Sequence, residues 1–312
     1  FLEVLLNLRA IMGNLKFCKV DIQQFKPDAV ILVDYPGFNL RIARFVHKLK
    51  IPVIYYISPQ IWAWKQSRVK IIRKVVDKML VILPFEKDFY ARHKVEVEFT
   101  GHPLLDALAR KQVMPLNTGD EKPVVALLPG SRSQEIKKVL PVMLEVAEHF
   151  KEVKFVIAGV PSLGEEFYHQ FEVHQDVQVI MNRTYDLLSH AKAALVTSGT
   201  ATLETALIGT PEVVCYKGGY LSYLIARQLI KIKYISLVNL IMDRLVVKEL
   251  IQHDLNVRQL TDELNALLYN DEYRTKMLDD YHELSIKLGG VGASAKAAEV
   301  ILNFIKTKPA QA

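Results

Sequence analysis

Residues 127–141, LLPGSRSQEIKKVLP, carry an apolar run into Pro129–Gly130–Ser131–Arg132 and then directly into a helical pattern. Such a turn suits an anion. Ser131 and Gln134 have capping-box spacing, which leaves backbone N–H groups at a helix start aimed outward. Arg132 adds a planar, permanently charged fork that matches phosphate. An ordinary strand-to-helix turn, with Arg132 paired to Glu135, explains the same letters. A P-loop is excluded because no Gly-Lys-Ser/Thr follows, and no G-x-G-x-x-G occurs in the chain. A second turn of this kind lies in 196–214, VTSGTATLETALIGTPEVV, where a strand runs into Ser198–Gly199–Thr200 and Gly209 stands in helix C-cap position. Glu204, one turn in, could accept two ribose hydroxyls, or could simply be a solvated carboxylate favoured by the helix dipole. Two anion-suited turns in one domain point to a nucleotide diphosphate more than either does singly.

Other side chains fall where chemistry is expected in open parallel sheets, beyond the carboxyl ends of strands. Asp34, in ILVDYPGFN (31–39), is placed to accept a proton from a substrate hydroxyl, unless it only satisfies N–H groups of the Pro36–Gly37 turn. The stretch 55–74 holds both tryptophans, Trp62 and Trp64, and then five basic residues beginning with Lys65 and Arg68. It reads as an interfacial or sugar-binding loop with cations for phosphate, or as a basic helix face with the indoles filling core gaps. Leu2, Val4, Leu5, Leu8, Ile11 and Met12 form an apolar stripe for which core packing and membrane docking compete. His102 follows a strand and could line a cleft. Asn239 could read a base edge, although loop asparagines more often bond their own backbone. The histidines fit no metal-ligand spacing, so no metal is expected.

These residues need a scaffold of strands and helices, and the chain supplies one. Continuous β-branched runs at 28–34, 52–58, 78–84, 124–130, 154–159, 177–181, 193–199 and 212–218 alternate with helical patterns. That alternation predicts an α/β protein of parallel sheets. It lapses across 104–123, a polar stretch with Pro115 and Gly119, so a boundary is expected there. Two Rossmann-like, doubly wound domains result, 1–115 and 116–312, facing across a cleft; the Ala-rich helix 293–306 is a candidate to pack back on the first.

The chain has 312 residues, 50% of them hydrophobic, enough for two cores. Its two cysteines, Cys18 and Cys215, are too far apart in sequence for a redox motif and fit a reducing compartment. No apolar run is long enough to span a bilayer. The net charge of +6 suggests an anionic partner. A nucleic acid has only that charge in its favour, since no recognition motif appears. The first residue is Phe1, within a pattern that reads as a helix already under way, which predicts a chain lacking its natural start.

The segments SPQIWAWKQSRV, LPFEKDFY, FTGHPLLDAL, LLPGSRSQEI, SGTATLETAL and ISLVNLIMDRLVVKELIQ, in this order, resemble the lipid-A-disaccharide synthase family over nearly the whole chain. The resemblance implies a glycosyltransferase B fold and an inverting transfer from UDP-2,3-diacylglucosamine to 2,3-diacylglucosamine 1-phosphate, making a β-1′,6 linkage and releasing UDP without a metal or other cofactor. It implies Asp34 as general base and Arg132 on the diphosphate. Gly130, Ser131, Ser198, Gly199 and Thr200 would lie near the phosphates, Glu204 on the ribose and, less firmly, Asn239 in the nucleotide pocket. It also implies peripheral attachment to the cytoplasmic face of a bacterial inner membrane, through the apolar stripe and the Trp62–Arg68 loop, and self-association. The family's initial strand and Gly-rich loop are not found in this chain. A UDP-sugar epimerase of the same fold is the alternative; it would need neither IWAW nor the stripe.

Overall fold

A computed structural model describes residues 8–116, 119, 121–171, 177–219 and 233–307. The chain divides into two compact units, one of Phe1–Asp106 with Leu288–Ala312, the other of Ala107–Lys287. The sequence had suggested a boundary near residue 115; the division falls between Asp106 and Ala107, within a helix.

The first unit runs α1 (Leu8–Phe25), β1 (Val30–Val33), α2 (Pro36–Lys48), β2 (Val53–Tyr56), α3 (Val69–Val75), β3 (Lys78–Val81), α4 (Glu86–Arg92), β4 (Glu98–Phe99) and α5 (Pro103–Arg110), the last of which crosses the boundary. Its described sheet is parallel with order β1-β2-β3-β4. One face is covered by Leu15, Ile22, Ile42, Val46 and Ile72 from the helices, which bury Val53, Tyr55 and Met79. At roughly 25 cal/mol per Å² of apolar surface removed from water, this burial is the main stabilising term. β1 is the edge of the described sheet, and Ile31 and Val33 are each 47% exposed. The expectation of a fully buried strand at 28–34 is therefore corrected: within β1 only Leu32 is fully buried, and Val30 packs partly buried against the core.

The Ala-rich segment forms the C-terminal helix and packs Ala297, Val300, Ile301, Phe304 and Ile305 over Ile54 and Leu80 on the opposite face. Its approach is close. Gly289 (φ +93°) and Gly101 (φ +92°) meet so tightly that a Cβ on Gly289 would lie 3.2 Å from the Gly101 Cα. Both conformations also favour glycine intrinsically. The buried Asp106 carboxylate accepts the N–H groups of Gly292 (2.5 Å) and Ser294 (2.7 Å), which fixes the helix start.

The second unit contains β5 (Val124–Leu128), α6 (Ser133–Ala147), β6 (Lys154–Gly159), α7 (Glu166–His169), β7 (Val177–Met181), α8 (Thr184–His190), β8 (Ala191–Thr197), α9 (Thr200–Ile208), β9 (Glu212–Tyr216), α10 (Leu237–Met242), β10 (Lys248–Ile251), α11 (Val257–Tyr269) and α12 (Asp271–Lys287). The C-terminal helix of the first unit is then α13 (Ala293–Thr307). The second sheet is also parallel, ordered β10-β9-β8-β5-β6-β7. Strand order reverses between β5 and β8, the switch point at which ligands of open α/β sheets bind. Every predicted strand forms. β10 was not anticipated, because KELI opens with two charged residues and has only two apolar ones; β4, only two residues long, entered solely as the strand that His102 follows.

Candidate nucleotide-sugar site

At the switch point, β5 ends in the Gly130 turn and β8 ends in Ser198–Thr200, so the two sequence-predicted anion turns are neighbours. They border a hollow of about 370 Å³ lined by Gly130, Ser131, Ser198, Gly199, Thr200 and Glu204, among others. Gly130 has φ +123°, and a Cβ there would stand 3.1 Å from a Glu135 carboxylate oxygen. Only glycine fits that turn without strain. The capping box predicted at Ser131–Gln134 does not form. Arg132 is the N-cap residue, extended and without a side-chain cap, and α6 starts at Ser133. The first N–H groups of the helix thus keep no side-chain acceptor, as an anion site requires.

Arg132 is 80% exposed and pairs with Glu135 at 3.1 Å, the partner that the alternative explanation named. A pair so exposed contributes only about 0–1 kcal/mol, so an incoming phosphate competes easily for the guanidinium. Across the hollow, α9 begins after Gly199, where an added Cβ would meet open space. Glu204 is half-buried and accepts the Tyr185 hydroxyl at 2.7 Å, which leaves its second oxygen unspent in that bond. Burial, and then the adjacent Glu204, raise the Tyr185 hydroxyl's pKa, so it stays a donor at neutral pH. Thr197 lines the same hollow, buried, with a hydroxyl that has no partner among the described residues. Neither Tyr185 nor Thr197 was anticipated. Thr197 is readable as the last β8 residue before Ser198, whereas nothing in the sequence ties Tyr185 to Glu204.

Asn239 requires a correction. It is fully buried, its amide donates to the Val247 carbonyl (2.8 Å) and Glu249 (2.9 Å), and its oxygen accepts from Val246 (2.8 Å) and Val247 (3.0 Å). Every hydrogen-bonding position of that amide is occupied, so it cannot read a base edge. It ties α10 to the approach to β10 instead. Glu249 completes the arrangement by accepting the N–H groups of Ile235 and Ser236.

In the first unit, Asp34 stands at the carboxyl end of β1 with its side chain exposed. Its backbone is left-handed (φ 44°), as is that of Tyr35 (φ 42°). Two consecutive non-glycine residues in that region cost roughly 1–2 kcal/mol each. The predicted alternative, in which the Asp34 carboxylate caps the Pro36 turn, is not what holds the strain. Asn39 Nδ2 donates to the carbonyls of Val33 (2.9 Å) and Asp34 (2.8 Å), and Tyr55 Oη donates to the Asp34 carbonyl (2.5 Å). Among the described residues, no side-chain hydrogen bond caps the start of α2, so capping does not spend the carboxylate.

The two tryptophans separate. Trp62 is half-buried, edge-on to Phe85 at 4.9 Å, and packs on the core, which corrects its assignment to a surface loop. Trp64 is 40% exposed, with Lys65 Nζ 4.4 Å and Arg68 Cζ 5.5 Å from its ring centre. Nearby, the buried Glu86 accepts the Leu83 N–H at 3.0 Å, and burial pushes its pKa up to about 7. His102 is buried and held neutral, with a pKa lowered to about 4 by burial, and its Nδ1 accepts the Leu104 N–H.

The apolar stripe divides as well. Leu2, Val4 and Leu5, and the side chain of Leu8, lie outside the described residues. Ile11 packs on the core, so its assignment to an exposed face is corrected; Met12 is 55% exposed. Met12 and Leu15 floor a hollow of about 340 Å³ between α1 and α2, rimmed by Lys16, Lys19, Arg41 and Arg44. Among the described residues no helix is long and apolar enough to cross a membrane.

A family model described as lipid-A-disaccharide synthetase matches residues 1–304. The lipid-A-disaccharide synthase of Syntrophus aciditrophicus is 43% identical over 316 residues, covering 97% of this chain and 82% of that protein. The Coxiella burnetii (strain CbuG_Q212) protein of the same name is 37% identical, covering 97% and 83%. Among solved structures, a Neisseria meningitidis UDP-GlcNAc 2-epimerase bound to UDP-GlcNAc aligns with a TM-score of 0.64 at 17% identity, over 94% of this chain and 81% of that one. The calicheamicin glycosyltransferase CalG4 gives 0.62 at 15%, over 97% and 83%. At such identities the structural likeness bears on fold alone, and that fold is the glycosyltransferase B type. With the sequence matches spanning both units, the chain belongs to the lipid-A-disaccharide synthetase family.

Proposed function

We propose that this protein is an inverting glycosyltransferase that joins UDP-2,3-diacylglucosamine to 2,3-diacylglucosamine 1-phosphate, forming a β-1′,6 linkage and releasing UDP. Family membership over residues 1–304 is the observation that carries this proposal. The strand-end hollow of the second unit supports the donor class, because uncapped helix starts and an oriented carboxylate line it, and the turn at its edge carries an arginine held only by an exposed pair with Glu135. In this reading the diphosphate lies against the Gly130 turn and the start of α9. Arg132 exchanges Glu135 for phosphate oxygens, and Glu204 accepts ribose hydroxyls. Asp34 removes the proton of the acceptor's 6-hydroxyl as that oxygen attacks the anomeric carbon. The bond from that carbon to the diphosphate breaks, and its electron pair leaves with UDP. A single displacement of this kind inverts the anomeric centre. Arg132 and the helix N–H groups stabilise the departing charge in place of a metal.

Both substrates carry acyl chains, so the reading also places the protein at the cytoplasmic face of a bacterial inner membrane. The hollow between α1 and α2 supports it: four cations surround an apolar floor, a combination suited to anionic lipid. Trp64, with Lys65 and Arg68, is a second contact for the acceptor or the surface.

The test is disaccharide formation from the two acylated substrates in detergent, with UDP release followed in parallel. Asp34→Asn should lower turnover on the order of 10²–10⁴-fold. Arg132→Ala should weaken UDP binding by about 10-fold to 100-fold, the loss of one charge-assisted contact. No disaccharide from the parent protein, or turnover of unacylated UDP-N-acetylglucosamine without an acceptor, would overturn the assignment.

A further inference from the structure

We propose that Asn39 and Tyr55 are positioning residues, a two-donor clasp that holds the Asp34 turn in its left-handed form and so aims the carboxylate. The inference rests on the role given to Asp34 above and adds what makes that role sustainable. A lone left-handed residue is common enough in proteins when it is glycine or asparagine. Here two in succession are an aspartate and a tyrosine. Aspartate tolerates the region when its side chain bonds locally, which the Asp34 carboxylate does not do among the described residues, and tyrosine lacks that means. Something outside the turn must hold it.

The bonds around the turn are distributed accordingly. The Asp34 N–H reaches the Tyr56 carbonyl at 3.2 Å, which carries the β1–β2 pairing one residue past the strand. The Tyr35 carbonyl accepts the N–H groups of Phe38 (3.2 Å) and Asn39 (3.0 Å), which opens α2. Between these two anchors, the Asp34 peptide would be free to rotate back toward an unstrained form. Its carbonyl is the group that would have to move, and that oxygen is held twice, by Asn39 Nδ2 and by Tyr55 Oη. The same Asn39 nitrogen also holds the Val33 carbonyl, so one amide spans both sides of the strained residue. Tyr55 comes from β2, is fully buried, and has no exposure through which its hydroxyl could turn to solvent. The two donors therefore arrive from different elements, a helix and a strand. Rotation of the Asp34 carbonyl would break both of these hydrogen bonds at once and leave a buried phenol unpaired.

Strain that is held by surrounding structure in this way is a feature of functional turns, where it fixes a reacting group ahead of substrate. The clasp bonds only the backbone of Asp34. The carboxylate stays free for a substrate hydroxyl, whereas a clasp through the carboxylate would have spent the base.

The experiment has an arm that depends on turnover and an arm that does not. Asn39→Ala and Tyr55→Phe are measured for disaccharide formation and for UDP affinity. Each should lower kcat by about 10-fold to 100-fold, the scale of a base displaced by roughly an ångström, with the acceptor KM changed by less than about 3-fold. UDP affinity, a property of the other unit, should stay within about 2-fold. Tyr35→Gly in the Asn39→Ala background should restore a large part of kcat, because glycine takes the left-handed conformation without the clasp. In the second arm, urea unfolding of Tyr35→Gly, Asn39→Ala and the double variant should show clear non-additivity, since Asn39 matters less once the strain it opposes is gone. Additive effects on unfolding, or an unchanged kcat in both clasp variants, would overturn the proposal. Loss of kcat without rescue by Tyr35→Gly would do so too. A parent that forms no disaccharide would count against the transferase assignment, and the unfolding cycle would then decide the clasp alone.

Discussion

Glu212 offers the sharpest test of the physics of the second unit. It is the first residue of β9, in the interior of the sheet between β8 and β10, with no exposed surface and, among the described residues, no hydrogen-bond partner for either carboxylate oxygen. Burial raises its pKa well above the ordinary 4.5, so the folded protein holds it protonated where the unfolded chain does not. The sign of the linkage follows. Its contribution to stability is fully present below about pH 4.5, where both states bind the proton, and is lost as pH rises toward the folded value. Over that window stability should fall by about 1.4 kcal/mol per pH unit from this residue alone. Glu212→Gln keeps the shape and removes the titration, so the difference between variant and parent should widen as pH rises above about 5. Glu212→Leu also removes the unpaired polar atoms and should add about 1–3 kcal/mol, the usual penalty for such a group. Urea unfolding followed by circular dichroism reads the effect. Tryptophan fluorescence isolates the first unit, because Trp62 and Trp64 both lie there. A difference between Glu212→Gln and parent that does not vary with pH would refute the reasoning.

Two further outcomes are expected. Tyr185→Phe removes the bond that orients Glu204 and should weaken UDP binding by about 3-fold to 10-fold in calorimetry, the value of one net hydrogen bond; an unchanged affinity would mean that Glu204 does not meet the nucleotide. Asp106→Ala deletes two charge-assisted bonds at the start of α13 and should cost the first unit about 2–4 kcal/mol. It should also expose the glycine-rich segment 289–292 to proteases, and an α13 as resistant as in the parent would refute the clamp.

The strands were legible because parallel strands buried on both faces read as continuous β-branched runs, and each of the eight predicted runs became one. The anion turns were legible for a related reason. A parallel sheet places such turns at one edge, and residues 130–132 and 198–200 were already assigned to strand ends. What could not be read was pairing at a distance. Asn239 carries the residue type of a base reader, and only the positions of Val247 and Glu249 show its amide to be fully used within the protein. The described end of the stripe, Ile11 and Met12, shows the same limit. Helical spacing shows that Ile11 and Met12 are adjacent, but the packing of α1 on α2 decides which of them is buried. Trp62 and Trp64 are separated by one residue and differ in fate because Phe85, far along the chain, provides a ring for only one of them.

The two kinds of strand end also explain why glycine marks one site and not the other. A diphosphate is bound by the backbone, so its turn gains from losing the side chain, and Gly130 takes φ +123° at no steric cost. A general base must be a side chain, so the equivalent economy is closed to β1. If its geometry calls for a left-handed turn, a carboxylate-bearing residue has to occupy it at a cost of roughly 1–2 kcal/mol. That cost has to be met by donors elsewhere in the unit, here Asn39 and Tyr55. Replacing Asp34 by glycine should therefore stabilise the first unit while abolishing turnover. Asp34→Asn, which tolerates the same backbone, should abolish turnover at nearly unchanged stability. Thermal unfolding of the two variants separates strain from chemistry at that position, and a destabilised Asp34→Gly protein would show that the turn is not strained.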